Sequence, residues 1–161
     1  MSHKSAINDA VNTRPHEQHT EKKAIADLNK IMQQCLLQYG AINQDARPVV
    51  RCGNLPEVEA DENVFIRLFD LLMQSILNHP PPGRRLFLHI DCERLKKMPA
   101  DLSSFHIDFY TNIIVSDNWI ETYSQALALC QKELGQNNAV LQINYIPAHG
   151  CLYSLGLALN P

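Results

Sequence analysis

The sequence predicts a two-layer α+β sandwich, with about three helices on one face of a mixed, mostly antiparallel sheet. Three observations lead there. Three stretches repeat apolar residues at three-and-four spacing, which marks amphipathic helices with one buried face. Between them lie shorter runs in which apolar and polar residues alternate, the period of a strand covered on one side. The last two runs are joined by a turn-rich tetrapeptide, which sets neighbouring strands antiparallel. Elements that each bury one face settle into two packed layers.

The totals bound the rest. A chain of 161 residues is the size of one domain and buries about 70% of its unfolded surface. Net charge is -3 and the pI about 6.1, and no basic run is longer than Lys96-Lys97, so nucleic acid is not an expected partner. No apolar run approaches the ~20 residues of a membrane span, and the first residues lack a signal-peptide core. A cytoplasmic chain without membrane association is expected. The five cysteines, Cys35, Cys52, Cys92, Cys130 and Cys151, lie far apart with no C-x-x-C pair, so buried reduced thiols are expected, with neither a disulfide framework nor a zinc site.

In order along the chain, residues 1–20 are polar and aperiodic, the composition of a disordered tail, and residues 21–161 form the single domain. His16 and His19 lack a third ligand nearby and are read as solvated. From Glu21 to Tyr39, Ile25, Leu28, Ile31, Met32, Cys35 and Leu36 fit one helical face, with Gly40 as the expected stop. Arg47 to Cys52 reads as a strand. Leu55-Pro56-Glu57-Val58 then runs up to the central helix, Asp61 to His79, whose buried stripe includes Val64, Phe65, Leu68, Leu72 and Ile76. Asp61 is its expected N-cap, and Pro80-Pro81-Pro82-Gly83 closes it.

A strand follows from Arg84 to Cys92, then a loop from Glu93 to Ser104 and a strand from Phe105 to Val115. His89 and His106 on these strands are read as ordinary, partly exposed histidines. The third helix runs from Trp119 to Leu134 with Gly135 as its stop. Ala139 to Ile146 and Leu152 to Leu159 form a hairpin about Pro147-Ala148-His149-Gly150.

The stretch LPEVEADENVFIRLFDLLMQSILNH resembles the segment that opens the ATP-binding domain of sensor histidine kinases, in the GHKL or histidine-kinase-like ATPase superfamily. Asp27-Leu28-Asn29 is similar to the D-L-N that begins that domain, and the resemblance covers most of the chain from there to the C-terminus. It implies a Bergerat-type α/β sandwich. Residue by residue, however, it loses the chemistry. The family's magnesium-holding Asn falls on Ser75, the polar residue before it on Gln74, and its Lys on Asn78. Val115-Ser116-Asp117-Asn118-Trp119-Ile120-Glu121 aligns with the adenine-binding segment, which puts Asp117 at the adenine Asp and Trp119 and Glu121 at two glycines. Leu127-Ala128-Leu129-Cys130-Gln131-Lys132 matches the segment after the phosphate-binding glycines, which fall on Ser124 and Ala126 and leave about two residues for the ATP lid.

The candidate cofactor-binding residues are therefore remnants: Asp117, read either as a helix cap or as a residual purine contact, with Ser75 and Asn78 as its neighbours in a weak nucleotide site. No catalytic residue and no metal ligand is identified, and neither ATP nor Mg²⁺ is expected to bind. His16-Glu17 has the start of a phosphoacceptor motif, but too few residues separate it from the domain for the family's helical hairpin, and it is rejected as a phosphate acceptor. The expected function is that of a catalytically inactive histidine-kinase-like domain, an interaction module that docks a response regulator, a histidine kinase or a second copy of itself. The alternatives are a weak nucleotide or small-molecule sensor, or the ATP-binding domain of a two-component kinase. Trp119, with about the footprint of a purine, is expected to fill the former adenine cavity.

Overall fold

A computed structural model describes residues 24–42, 48–97, 102–146 and 149–158. The expected tail over 1–20 lies outside the described residues. In order the elements are β1 (Ile25–Asp27), α1 (Leu28–Ile42), β2 (Val49–Cys52), β3 (Glu57–Glu59), α2 (Glu62–Leu77), β4 (Phe87–Lys97), β5 (Leu102–Thr111), α3 (Asp117–Gln136), β6 (Ala139–Ile146) and β7 (Gly150–Ala158). The α+β class and the two layers are as expected. Five strands form one sheet in the order β2-β4-β5-β7-β6, and β1 and β3 form a separate two-stranded ribbon. Within this sheet β2 and β4 pair parallel, and the other described neighbours are antiparallel.

The central helix holds its predicted place. Asp61 is extended and its carboxylate accepts from the Asn63 amide at 2.9 Å, while Asn78 caps the far end. Phe65, Leu68, Phe69, Leu72, Met73 and Ile76 are fully buried against Leu88 and Ile90 of β4, Ile107 and Phe109 of β5, and Tyr153 and Leu155 of β7. Strands β4, β5, β6 and β7 send alternate residues into the core, which is why their alternation was legible.

Several predicted boundaries give way. The expected helix from Glu21 loses Ile25–Asp27 to β1, where Ala26 pairs with Val58. Asp27 instead caps α1, accepting from the Lys30 amide at 2.9 Å. Gly40 does not stop α1, which continues to Ile42; an interior glycine costs about 1 kcal/mol and does not by itself end a helix. Glu57–Glu59 is a strand, not a plain approach to α2. The expected loop from Glu93 to Ser104 is mostly strand, because β4 runs to Lys97 and pairs with β5 from Leu102 onward. Phe105, Ile107 and Phe109 lie in β5 as expected, but the strand ends at Thr111, so Ile113–Val115 lies outside it. The second hairpin strand begins at Gly150 and ends at Ala158.

Helix α3 starts earlier and ends later than its apolar pattern suggests. Ser116 is the N-cap, its hydroxyl accepting from the Trp119 amide at 3.2 Å, so Asp117 is not the cap but the first helical residue. The helix passes through Gly135 and stops where Asn137 donates to Leu134 O at 2.8 Å and Asn138 turns left-handed at φ 54°. Asparagine tolerates that conformation better than most residues. Among the described residues no helix is long and apolar enough to cross a membrane. Cys35 and Cys151 are buried as expected, whereas Cys52 is exposed and Cys92 and Cys130 are half-buried.

Candidate functional site

Two of the three residues singled out by sequence meet in one cluster where α2, α3 and β7 converge. Ser75 lies on the inner face of α2 and is fully buried. Its hydroxyl donates to the Leu72 carbonyl at 2.8 Å, the preceding helical turn, and its oxygen stands 3.1 Å from the Tyr153 hydroxyl. A serine has one proton to give, so Tyr153 is the donor in that second bond.

Trp119 enters from the first turn of α3. Its ring is 5% exposed, tilted against Tyr123 at 5.7 Å and Tyr153 at 6.5 Å between centroids. The indole N–H donates to the Ser75 carbonyl at 3.0 Å. A buried indole without a partner for its N–H is costly, and a carbonyl in the last turn of a helix has no helical donor of its own. Each satisfies the other.

Asn78 joins through Tyr123. Its side-chain amide donates to the Tyr123 hydroxyl at 3.3 Å, and that hydroxyl donates to the Gln74 carbonyl at 3.3 Å. The His79 ring stands edge-on to Tyr123 at 5.4 Å, with its Nδ1 buried and unbonded among the described residues. Tyr123 and Tyr153 complete the site, and sequence reading singled out neither. Tyr123 is one helical turn beyond Trp119 on the same face, which was a usable signal; Tyr153 reaches Ser75 only through the fold.

Asp117 stays apart. It is exposed on the first turn of α3, and among the described residues its carboxylate takes no hydrogen bond. A carboxylate there still favours the positive helix end.

The electrostatics are those of a closed core. Burial pushes the Tyr153 phenol well above the usual tyrosine range and the Cys151 thiol up to about 11. On the far side of α2, burial first and Asp70 second raise Cys35 to about 12, and Tyr39 rises to about 12 by burial and its 2.5 Å bond to the Asp70 carboxylate. The remaining thiols are also raised, because each sulfur is partly desolvated even where, as at Cys52, the residue as a whole is exposed. None has the lowered pKa of a reactive thiolate.

Cavities lined by described residues lie elsewhere. One of about 270 Å³ and one of about 290 Å³ adjoin β3 and the end of α3, and one of about 340 Å³ lies between α1 and α2. Ser75, Asn78, Asp117 and Trp119 are in the walls of none of them. Among the described residues no group of three or more His, Cys, Asp or Glu side chains is placed to hold a metal ion.

No protein-family model matches the chain, and no curated protein matches it. Solved structures do. The Acinetobacter baumannii histidine kinase AdeS superposes with a TM-score of 0.62 at 13% identity, over 86% of this chain and 68% of that one. The mycobacterial sensor histidine kinase MprB gives 0.63 at 12% identity over 86% and 99% of the two chains. The ATP-binding domain of PrrB from Mycobacterium tuberculosis gives 0.59 at 14% identity over 86% and 98%. The fold is that of the ATP-binding domains of sensor histidine kinases.

Proposed function

We propose that this chain is a catalytically inactive histidine-kinase-like domain that works in signal transduction as an interaction module. The Trp119 to Ser75 hydrogen bond carries the reading. In the resemblance to histidine kinases, Ser75 stands at the magnesium-holding Asn and Trp119 at the first adenine-side glycine. The side chain at one position is thus bonded to the backbone of the other. The buried indole takes up the volume of a purine there, and the Ser75 hydroxyl is committed to Leu72 and Tyr153. Neither ATP nor Mg²⁺ is retained as a cofactor on this reading. What the domain keeps is a rigid fold and its surface, suited to docking a response regulator or a histidine kinase in the cytoplasm; fold alone does not determine function.

The test combines titration calorimetry with fluorescence. Trp119 is the chain's one tryptophan, so its emission reports on the cluster directly. Adding ATP or ADP with Mg²⁺ is expected to leave both the heat and the emission unchanged, while crosslinking with two-component partners yields a specific complex. Micromolar Mg²⁺-ATP binding that shifts the emission and is lost in Asp117→Asn would overturn the reading in favour of a nucleotide sensor.

A further inference from the structure

Among the described residues the edge strand β6 has no strand along its outer side. The sheet ends there, since β6 is bonded on one side to β7 and has no other strand neighbour among the described residues. The amide of Ala158 donates to Asn138 O, which fixes the parity of the ladder. Even-numbered residues of β6 bond to β7, and the N–H and C=O groups of Ala139, Leu141, Ile143 and Tyr145 point away from it. Gln131 of α3 confirms the direction by donating to the Leu141 carbonyl at 2.9 Å.

Edge strands are ordinarily blunted by lysine, proline or a bulge. β6 reads AVLQINYI and carries no charge, no proline and no glycine. Val140 is 60% exposed and Tyr145 46%. Above it, the flank of α3 on Gln131's side presents Glu121, Ser124, Ala128, Lys132 and Gly135, all exposed. Between its two charges that flank is small, so a neighbouring helix is not held off.

We propose that this edge pairs antiparallel with β6 of a second copy about a two-fold axis at Ile143, joining the two sheets into one. Leu141 then faces the partner's Tyr145, and every pair about the axis is uncharged. Leu141 O keeps Gln131 and still accepts the new amide, because a carbonyl has two lone pairs.

The charges on α3 favour this occupant over another chain. The axis at Ile143 lies two strand residues, about 7 Å, beyond Leu141. α3 runs the opposite way to β6, so at ~1.5 Å per residue the axis passes four to five residues before Gln131. Glu121 and Lys132 stand nearly equidistant on either side of that point. Glu121 of each copy therefore faces Lys132 of the other, giving two ion pairs by symmetry. An eight-residue strand spans about 27 Å and the two layers about 20 Å. That face buries roughly 1,000 Å² in total, the threshold for a specific interface, and suits a reversible dimer. The pairing does not depend on whether nucleotide binding has been lost.

Sedimentation equilibrium on the full chain, from micromolar to several hundred micromolar at low salt, tests it. A concentration-dependent dimer is expected. Gln142→Lys with Asn144→Lys, both at exposed positions, places lysines opposite lysines and is expected to weaken the dimer at least tenfold with an unchanged circular dichroism spectrum. Glu121→Lys and Lys132→Glu are each expected to weaken it roughly tenfold. The two singles mixed together, and the double exchange in one chain, are expected to recover it. A chain that stays monomeric throughout, a dimer indifferent to these changes, or a charge exchange that fails to recover it overturns the proposal. So does an edge found covered by the chain's own first residues in hydrogen exchange.

Discussion

The indole N–H of Trp119 reaches across 3.0 Å to the backbone oxygen of Ser75, so that α3 is fastened to the last turn of α2 at a point where both are buried. The bond closes a path from Leu72 through Ser75 to Tyr153, linking two helices and the sheet. Replacing Trp119 by alanine removes a large packed ring and leaves that carbonyl without its donor. A loss of about 3–5 kcal/mol is expected, read from urea unfolding followed by circular dichroism. A loss below about 1 kcal/mol would show that the cluster relaxes and that the ring is not structural.

The start of α3 separates two neighbouring residues by role. Ser116 accepts from the Trp119 amide, so Ser116→Ala is expected to cost about 1 kcal/mol. Asp117→Asn keeps a polar residue at an exposed first position and should cost under about 0.5 kcal/mol. Equal losses in thermal unfolding would mean that the cap had been misassigned.

Two glycines predict opposite outcomes. Gly150 has φ 137°, and a Cβ there would collide with the backbone of Thr111, its neighbour across the sheet in the Cys151 pair. Gly150→Ala is therefore expected to cost about 3 kcal/mol or more, because both the dihedral and the backbone contact resist. Gly40 lies inside α1 with open space where a Cβ would go. Gly40→Ala should stabilise by about 0.5–1 kcal/mol. Chemical denaturation of the pair checks both signs.

Alkaline pH should unfold the chain. Tyr153, Cys151, Cys35 and Tyr39 all have folded pKa values raised above their unfolded ones, mainly by burial. The folded state therefore holds these protons more tightly. Their stability contribution is complete below the unfolded thiol value of 9.0, and is lost as pH rises through the folded values of about 11 to 12. The urea midpoint is expected to be flat from neutral pH to about pH 9 and to fall from there through pH 11 to 12. Tyr153→Phe should cost about 1 kcal/mol at neutral pH, the net value of one hydrogen bond, and make the alkaline limb shallower. An unchanged alkaline limb in that variant would place the titration elsewhere.

What the sequence determined by itself was the set of elements long enough to show a period. α2 has sixteen residues and repeats its apolar positions through four turns, so its existence, buried face and N-cap could be read without neighbours. β4 and β5 showed their alternation for the same reason. Their paired ends did not, since Glu93–Lys97 carry charges and become strand only because β5 lies alongside. β1 and β3 have three residues each, too few for any period, and exist through their mutual pairing. Glycines at 40 and 135 read as stops, but an interior glycine costs only about 1 kcal/mol and both helices run past theirs. The site divides in the same way. Ser75, Asn78 and Asp117 could be picked out by a motif's spacing, which carries position along the chain. That the first two meet around Tyr123 and Trp119 while Asp117 faces solvent was decided by how α3 docks on α2, a contact between residues more than forty positions apart.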